Sequence, residues 1–287
     1  MRARTVLLDG GLGTELFRRG LPRGACLESW NMEKPDVVRD VHAAYFEAGS
    51  DAVATNSFGG SPIKLAAHGF ERRAYELNKA AARLAREAAP AGRFVAGSIG
   101  PTGKFLKPQG DYTPEEFAAG FAEQARGLAD GGADFLIVET QYDLREALAA
   151  VRGARSASDL PVFVTMTFNA LPRGYFTLMG DTVARAAAEL ERAGALAVGA
   201  NCTLNSEQMV GCVQALRAAT GLPLIAQANA GQPVAADDGQ VAYSQGLDDY
   251  VRHVPAIVAA GAGIVGGCCG TDPSYIRAMA RLIRKEP

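Results

Sequence analysis

Three cysteines are the side chains of this sequence best suited to chemistry. Cys202 precedes the adjacent pair Cys268 and Cys269 by a long stretch of chain. Thiolates are the softest ligands that a protein offers, and zinc binds them well. Both members of an adjacent pair can face one ion only where the backbone bends sharply, and three nearby glycines permit such a bend: Gly266, Gly267 and Gly270. Taken alone the pair is weak evidence, because free cysteine is often a small buried hydrophobe.

The number and type of these ligands decide which chemistry a zinc ion would perform. Three protein ligands leave one tetrahedral position open, as in catalytic and not in structural zinc sites. Three thiolates outweigh the charge of the ion, which makes the site a poor activator of water. Such a site is better suited to keeping a fourth thiol deprotonated below its ordinary pKa of about 8.5, while leaving it nucleophilic. The residues therefore favour alkylation of a bound thiol over hydrolysis.

Short apolar segments alternate with longer segments of helical periodicity along the chain. The strand candidates are 6–9, 52–56, 94–98, 135–140, 162–168, 197–202, 224–229 and 264–269. Capping signals predict helices over 36–48, from Thr113 to about Asp130, and from Asn205 and Asp272, and strong helix formers fill 71–88. Eight strands alternating with eight helices, without a linker-like break, predict an α/β fold: one (β/α)8 TIM-type barrel over residues 1–287. A doubly wound open sheet is the competing arrangement.

Polar and thiol side chains recur at the carboxyl ends of the predicted strands. They are Asp9, Asn56, Ser98, Glu139, Asn201, Cys202, Asn229, Cys268 and Cys269. In a βα barrel these ends converge on the face where active sites are built, so the three cysteines could meet. Asp9 and Glu139 are the carboxylates best placed to bind a cation such as an α-ammonium, with capping or salt bridging as their structural alternative.

Two longer loops, 10–35 and 231–245, are predicted to form walls over this mouth. The first begins with Gly10 and Gly11 but lacks GxGxxG spacing, and no helix is predicted to begin there. We therefore expect these glycines to let backbone amides approach a small substrate carboxylate, and not to bind a nucleotide.

Composition excludes several classes of protein. The 287 residues carry a net charge of −2, which gives no reason to expect nucleic-acid binding. No apolar stretch is long enough for a membrane helix, and residues 1–9 contain no signal-peptide core. A cytoplasmic protein is therefore expected. Five cysteines, an odd number with two adjacent, do not indicate a disulfide framework, and metal binding or thiol chemistry is the better use for them. The remaining cysteines and the histidines are predicted not to bind metal: Cys26, Cys212, His42, His68 and His253.

Motifs along the whole chain resemble those of the zinc-dependent homocysteine S-methyltransferases, most closely the homocysteine-binding barrel of cobalamin-dependent methionine synthase. The motifs are LLDGGLGTE at 7–15, TNSFG at 55–59, GSIGPTG at 97–103, VET at 138–140, MTF at 166–168, NC at 201–202, NAG at 229–231 and GGCCGT at 266–271. The last is specific in combination with the NC motif.

The resemblance implies a set of roles. Cys202, Cys268 and Cys269 would bind Zn²⁺, the sulfur of L-homocysteine would take the fourth position, and Asn229 could occupy that position before substrate arrives. Asp9 and Glu139 would contact the amino-acid part of homocysteine. We expect five further residues near the mouth to bind substrate: Gly10, Gly11, Asn56, Ser98 and Asn201.

The methyl donor is the least determined part of this prediction. A chain of this length has no room for folate- and cobalamin-binding domains, and Asp40-Val41-His42 does not continue into a cobalamin motif. The tyrosine that follows the second strand in the betaine-using branch is replaced by Gly59. A separate methyl-corrinoid protein is the first choice of donor, with betaine or S-methylmethionine as alternatives. A different thiol or a selenol as acceptor, and a non-catalytic zinc barrel that binds a corrinoid partner, also stay open.

Overall fold

The computed structural model describes residues 4–235 and 241–284 and contains a barrel of eight parallel strands. The strands are β1 Val6–Leu7, β2 Ala52–Ala54, β3 Phe94–Ile99, β4 Phe135–Gln141, β5 Val162–Met166, β6 Ala197–Asn205, β7 Leu224–Asn229 and β8 Ala262–Gly267. They pair in the order β1-β8-β7-β6-β5-β4-β3-β2. Because this order follows the chain around the sheet without a reversal, the TIM-type barrel is confirmed and the doubly wound alternative is wrong.

Two aspartates bridge β1 and β2, the remaining gap of the barrel. At its lower end the Leu7 amide donates to Asp51 Oδ2 over 3.0 Å, and the Asp51 amide donates to the Leu7 carbonyl over 2.6 Å. At its upper end the Ala54 amide donates to Asp9 Oδ2 over 2.8 Å. Asp9, predicted as a site residue, therefore also closes the barrel at the mouth.

Helices cover the outside of the barrel. They are α1 Leu12–Arg18, α2 Trp30–Glu33, α3 Pro35–Ala48, α4 Pro62–Leu65, α5 Ala74–Ala88, α6 Pro114–Asp130, α7 Leu144–Ala157, α8 Val183–Ala193, α9 Ser206–Ala219, α10 Leu247–Val251, α11 Val254–Ala259 and α12 Pro273–Arg284. The predicted capping boxes at Thr113 and Asn205 are both formed. Gly49 ends α3 in the left-handed conformation, as its position predicts.

Alternation along the strands separates two apolar cores. Inward-facing residues fill the lower barrel: Leu8, Ala52, Ala96, Ile137, Ala197 and Ile225. The intervening positions, such as Leu136 and Val138 of β4, pack outward against the helices. The aliphatic interior stops below the mouth, where polar side chains replace it.

Both segments predicted as loops contain regular structure. Segment 10–35 includes α1, a 3-10 turn over Leu27–Ser29 and α2, so the expectation that no helix begins after Gly10-Gly11 is wrong. The sequence signal for the start of α1 was weak, because its N-cap residue Gly11 has no side chain that could cap the helix. Segment 231–245 contains an antiparallel hairpin of Pro233–Ala235 with Val241–Tyr243, while 236–240 lie outside the described residues. Among the helices of the described part of the chain, none has both the length and the apolar character needed to span a bilayer.

Candidate metal and substrate site

The three predicted cysteine ligands come together at the mouth of the barrel. Cys202 lies in β6 close to its end, and Cys268 and Cys269 begin the loop after β8. The three sulfur atoms lie within 4.8 Å of one another, and those of Cys202 and Cys269 are 3.9 Å apart. A tetrahedral zinc ion with Zn–S bonds of about 2.3 Å would hold its sulfur ligands roughly 3.8 Å apart. The spacing of these free thiols therefore fits zinc bound by three protein ligands.

The backbone that presents Cys202 is irregular. Cys202 has a φ of 60° and Thr203 a φ of 57°, in the left-handed region, which costs an L-residue about 1–2 kcal/mol. The pairing of β6 with β7 shifts register over the same stretch, between Asn201 and Asn205. Gln232 Nε2 donates to the Thr203 carbonyl over 2.8 Å and so ties this backbone to the segment after β7. Strain of this kind is concentrated at functional sites.

The loop after β8 makes its bend at Gly270. Gly270 has a φ of 82°, and a Cβ there would collide with the ring of Tyr243. Gly267 remains in β8, where a Cβ would collide with the side chain of Thr271. Thr271 Oγ1 donates to the Cys268 carbonyl over 2.7 Å and holds the loop in this shape. The glycines are thus required by close packing as well as by the bend.

Hydrogen bonding among the thiols distributes their protons unevenly. Donation from Cys268 and Cys269 lowers the pKa of Cys202 to about 3. The same bonds to Cys202 raise the pKa of Cys268, and they raise the pKa of Cys269 to about 12. Ionisation of one thiol is therefore favoured, and ionisation of the second and third thiols beside it is opposed. A divalent cation would remove that opposition by pairing with all three.

Asn229 borders two of the cysteines. Its Oδ1 accepts a hydrogen bond from the Cys269 amide over 3.1 Å, and a hydrogen bond from its side chain lowers the pKa of Cys202. Its place beside the cluster suits a neutral oxygen ligand, although that oxygen already has a backbone partner. The role of fourth ligand without substrate stays a prediction.

Asp9 and Glu139 are two enclosed carboxyl groups of the mouth. Asp9 is 1% exposed; burial raises its pKa well above the ordinary value, and repulsion from Glu139 adds to the shift. Glu139 retains some exposed surface, but burial of its carboxyl group raises its pKa to about 7, against the hydrogen bond donated by Ser98 Oγ. A cation between the two groups would stabilise both carboxylates. This pair is suited to an ammonium group.

Asn201 links the carboxylate side of the site to the cysteine side. Its Oδ1 accepts from the Thr140 amide over 2.8 Å and from Thr165 Oγ1 over 2.9 Å. Its Nδ2 donates to Thr140 Oγ1 over 2.7 Å and lies 3.4 Å from Glu139 Oε2 and 3.8 Å from Cys268 Sγ. The side chain is fully buried and hydrogen-bonded within the protein. A direct substrate contact stays a prediction.

The other residues predicted to bind substrate also have protein partners. The side-chain amide of Asn56 donates to Asn31 Oδ1 over 3.0 Å and to the Leu27 carbonyl over 2.7 Å. The amide of Gly11 donates to the Thr271 carbonyl over 3.0 Å, and Gly10 lies against the Thr271 hydroxyl. These contacts hold the segment after β1 against the mouth. The proposed approach of the Gly10 and Gly11 amides to a carboxylate stays untested.

The remaining cysteines and histidines lie apart from the cluster. Cys26 donates to Glu28 Oε2 over 3.3 Å, and Cys212 is buried in α9, where burial raises its pKa to about 12. His42 is buried within α3, and His68 and His253 lie at helix ends. Within residues 4–235 and 241–284, the only grouping of His, Cys, Asp and Glu suited to a metal is the three-cysteine cluster.

Sequence reasoning missed several residues that shape the site. Thr271 lies two residues after Cys269 and ends the GGCCGT motif, so its position in that motif was the available signal. Thr165 is an inward-facing strand residue, a placement that alternation from Phe163 could have indicated. Tyr243 gave no signal, because it belongs to a hairpin in a segment predicted as a loop.

Comparison with known proteins agrees with this geometry. A family model described as homocysteine S-methyltransferase matches residues 6–283. The chain belongs to this family. Among solved structures, the homocysteine methyltransferase MmuM from Escherichia coli in its metallated form is similar to this family member at 29% identity with a TM-score of 0.79, covering 98% of this chain and 97% of that one.

Longer proteins also contain regions similar to this homocysteine S-methyltransferase family member. The methionine synthase of Mycobacterium tuberculosis (strain ATCC 25618 / H37Rv) is 33% identical over 298 residues, covering 98% of this chain and 25% of that protein. The methionine synthase of Mycobacterium leprae (strain TN) is 33% identical over 300 residues, covering 98% of this chain and 24% of that protein. The chain thus spans about a quarter of the length of the curated relatives it matches. The predicted family is confirmed.

Proposed function

We propose that the protein transfers a methyl group from an activated donor to the thiolate of L-homocysteine, forming methionine. The observation that carries this proposal is the meeting of Cys202, Cys268 and Cys269 within 4.8 Å at the mouth of a barrel that also presents Asp9 and Glu139. Homocysteine has a thiol at one end and an ammonium at the other. The cluster and the carboxyl pair provide complementary partners for the two ends.

The chain's own residues would bind and orient the substrate. Cys202, Cys268 and Cys269 would hold Zn²⁺, which when bound supplies the positive charge that favours a deprotonated fourth sulfur. Asp9 and Glu139 would hold the ammonium and keep the thiolate from rotating away from the donor. The thiol proton leaves to solvent on binding. A sulfur lone pair then forms the S–CH₃ bond while the donor–CH₃ bond breaks, and its electron pair stays with the donor.

For the donor we propose a methyl-corrinoid carried outside these 287 residues. The similarity to methionine synthases about four times as long supports a donor-carrying part separate from this barrel. Betaine and S-methylmethionine are the alternative donors, and the similarity to the Escherichia coli homocysteine methyltransferase over nearly all of both chains supports a small-molecule donor. The thiol chemistry would suit the reducing cytoplasm.

A donor screen tests the activity. Zinc-loaded protein is incubated with homocysteine and one donor at a time: methylcobalamin, betaine, S-methylmethionine or S-adenosylmethionine. The methionine formed in each reaction is measured. Formation of methionine from one donor supports the proposal, and competition with other thiols and selenols tests the choice of acceptor. Lack of methionine with every donor and with a corrinoid-protein fraction would contradict it.

A cysteine variant tests the metal site. Cys268→Ala should lose bound zinc and methyl transfer together, while Cys212→Ala removes a buried thiol outside the cluster and should keep both. Full activity in a metal-free Cys268→Ala protein would exclude the mechanism. In cobalt-substituted protein, added homocysteine should shift the visible absorption; an unchanged spectrum would instead favour a closed, non-catalytic metal site.

A further inference from the structure

Gln227 lies in the barrel interior just below the cysteine cluster. Ile225, two residues earlier in β7, belongs to the interior core, and residues two apart share one face of a strand. Gln227 therefore faces the interior, where it pairs with Asn201 of β6 and with Gly266 of β8. The residue is only 5% exposed.

Gly266 provides the room for this side chain. A Cβ at Gly266 would lie 3.3 Å from Gln227 Cγ and 2.9 Å from the carbonyl oxygen of Asp9. The Gln227 side chain therefore extends past the inner surface of β8 towards the end of β1. Its Nε2 donates to the Gly267 carbonyl over 3.4 Å, which assigns the other end of the amide as the oxygen.

The amide oxygen of Gln227 is an unused acceptor. Gln227 Oε1 is buried and has no hydrogen-bond partner among the residues that the structure describes. Leaving a buried acceptor unpaired costs about 1–3 kcal/mol. Other inward-facing polar side chains near the mouth do have protein partners: Ser98, Glu139, Thr165 and Asn201. Gln227 Oε1 is thus a buried acceptor at the inner end of the site that the described protein groups leave without a partner.

We propose that Gln227 Oε1 accepts a hydrogen bond from the α-ammonium of the amino-acid substrate, beside Asp9 and Glu139. This inference rests on the proposed function. The thiolate and the carboxylate of homocysteine can only accept hydrogen bonds, so the ammonium is the one group that can donate to a free acceptor. Its three N–H bonds match two carboxylates and one amide oxygen. Gln227 is then a substrate-binding residue that selects thiols bearing an α-amino group.

A comparison of two thiols tests this assignment. L-homocysteine and 4-sulfanylbutanoate share the thiol and the carboxylate, but only homocysteine has the ammonium. Calorimetry of the zinc-loaded wild type should show a preference for homocysteine. Gln227→Met, close in size, should bind homocysteine about tenfold more weakly, as expected for a lost hydrogen bond to a charged group, and should bind 4-sulfanylbutanoate unchanged. Gln227→Glu retains an oxygen acceptor and should keep the preference.

A matched control separates binding from folding. Gln124 in α6 is also buried with an unpaired Oε1, and its Nε2 donates to the Ser57 carbonyl over 2.7 Å. Gln124→Met should keep the wild-type preference. An undiminished preference in Gln227→Met, or its loss in Gln227→Glu or in Gln124→Met, would overturn the assignment. Failure of the zinc-loaded wild type to bind either thiol would instead overturn the proposed function.

Discussion

His42 is a single residue whose burial makes the whole fold sensitive to acid. It is fully buried in α3, and neither ring nitrogen has a hydrogen-bond partner in the described structure. Burial lowers its pKa from 6.5 to about 4. The unfolded chain therefore binds a proton between those two values that the folded chain does not. Stability is complete above about pH 6.5 and falls as the pH approaches 4.

The expected loss from His42 is about 2 kcal/mol of unfolding free energy between pH 7.5 and pH 5. Urea unfolding of metal-free protein at the two pH values measures it, so that release of zinc does not contribute. His42→Leu should remove this part of the pH dependence, whereas His68→Leu, at an exposed position, should leave it unchanged. Equal pH dependence in His42→Leu and wild type would contradict the prediction.

At the same scale, sequence position predicted which residues meet at the mouth better than it predicted their hydrogen-bond partners. Placement of Asp9, Glu139 and the three cysteines at strand ends followed from alternation and from the barrel. The bonds of Asn201 did not follow, because they depend on Thr140 taking a φ of 58°, which brings its amide and hydroxyl to the same side chain. A threonine in the sequence does not indicate a positive φ, so this backbone angle could not be predicted from the residue type.

At the scale of one element, the end of β6 combines a candidate metal ligand, Cys202, with an unfavourable backbone conformation. Thr203 is β-branched and has a φ of 57°, a conformation that asparagine tolerates better. Its carbonyl is hydrogen-bonded to Gln232, and a substitution of the side chain leaves that bond in place. The strain at Thr203 can therefore be relieved without removing a ligand.

Thr203→Asn should raise the unfolding free energy by about 0.5–1 kcal/mol, because the left-handed conformation then costs less. Thr203→Val keeps a β-branched residue at the same φ and should give no gain. Denaturant unfolding of both variants, with zinc content measured in parallel, makes the comparison. The explanation by strain fails if Thr203→Asn is no more stable than Thr203→Val.

Elements with strong local signals were predictable, and elements supported by tertiary contacts were not. Thr113 and Asn205 begin their helices because their capping boxes satisfy free amides locally. Helix α1 lacks such a cap and depends on packing of Leu16 in the core. The strand predicted over 264–269 ends instead at Gly267, because the segment that follows bends to present the cysteines.

For the whole molecule, closure of the barrel at its lower end is separate from the candidate site, whereas at the mouth Asp9 belongs to both. Asp51 is buried at the lower end, where it accepts from the Leu7 amide and pairs with three arginines: Arg4, Arg93 and Arg284. These groups come from the starts of β1 and β3 and from the end of α12. In barrels of this kind the lower face serves stability and the upper face serves function.

Asp51→Ala should therefore lower the unfolding free energy by about 2–4 kcal/mol, since it leaves a backbone amide and several cations without their acceptor. Zinc affinity of the folded variant should be unchanged. Glu87→Ala, which removes a more exposed carboxylate near Arg83 and Arg39, should cost no more than about 0.5 kcal/mol. A weaker zinc site in folded Asp51→Ala, or equal losses in the two variants, would contradict this division.

The wide separation of the zinc-ligand candidates along the polypeptide sets an order of events during synthesis. Cys202 and Cys269 are 67 positions apart, so a nascent chain carries an incomplete ligand set until its eighth strand has emerged from the ribosome and docked. Tight metal binding by the three cysteines would therefore require a completely folded barrel. A molecule whose final strand failed to dock would leave its cysteines open to alkylating reagents, which gives a direct way to count immature protein in a preparation.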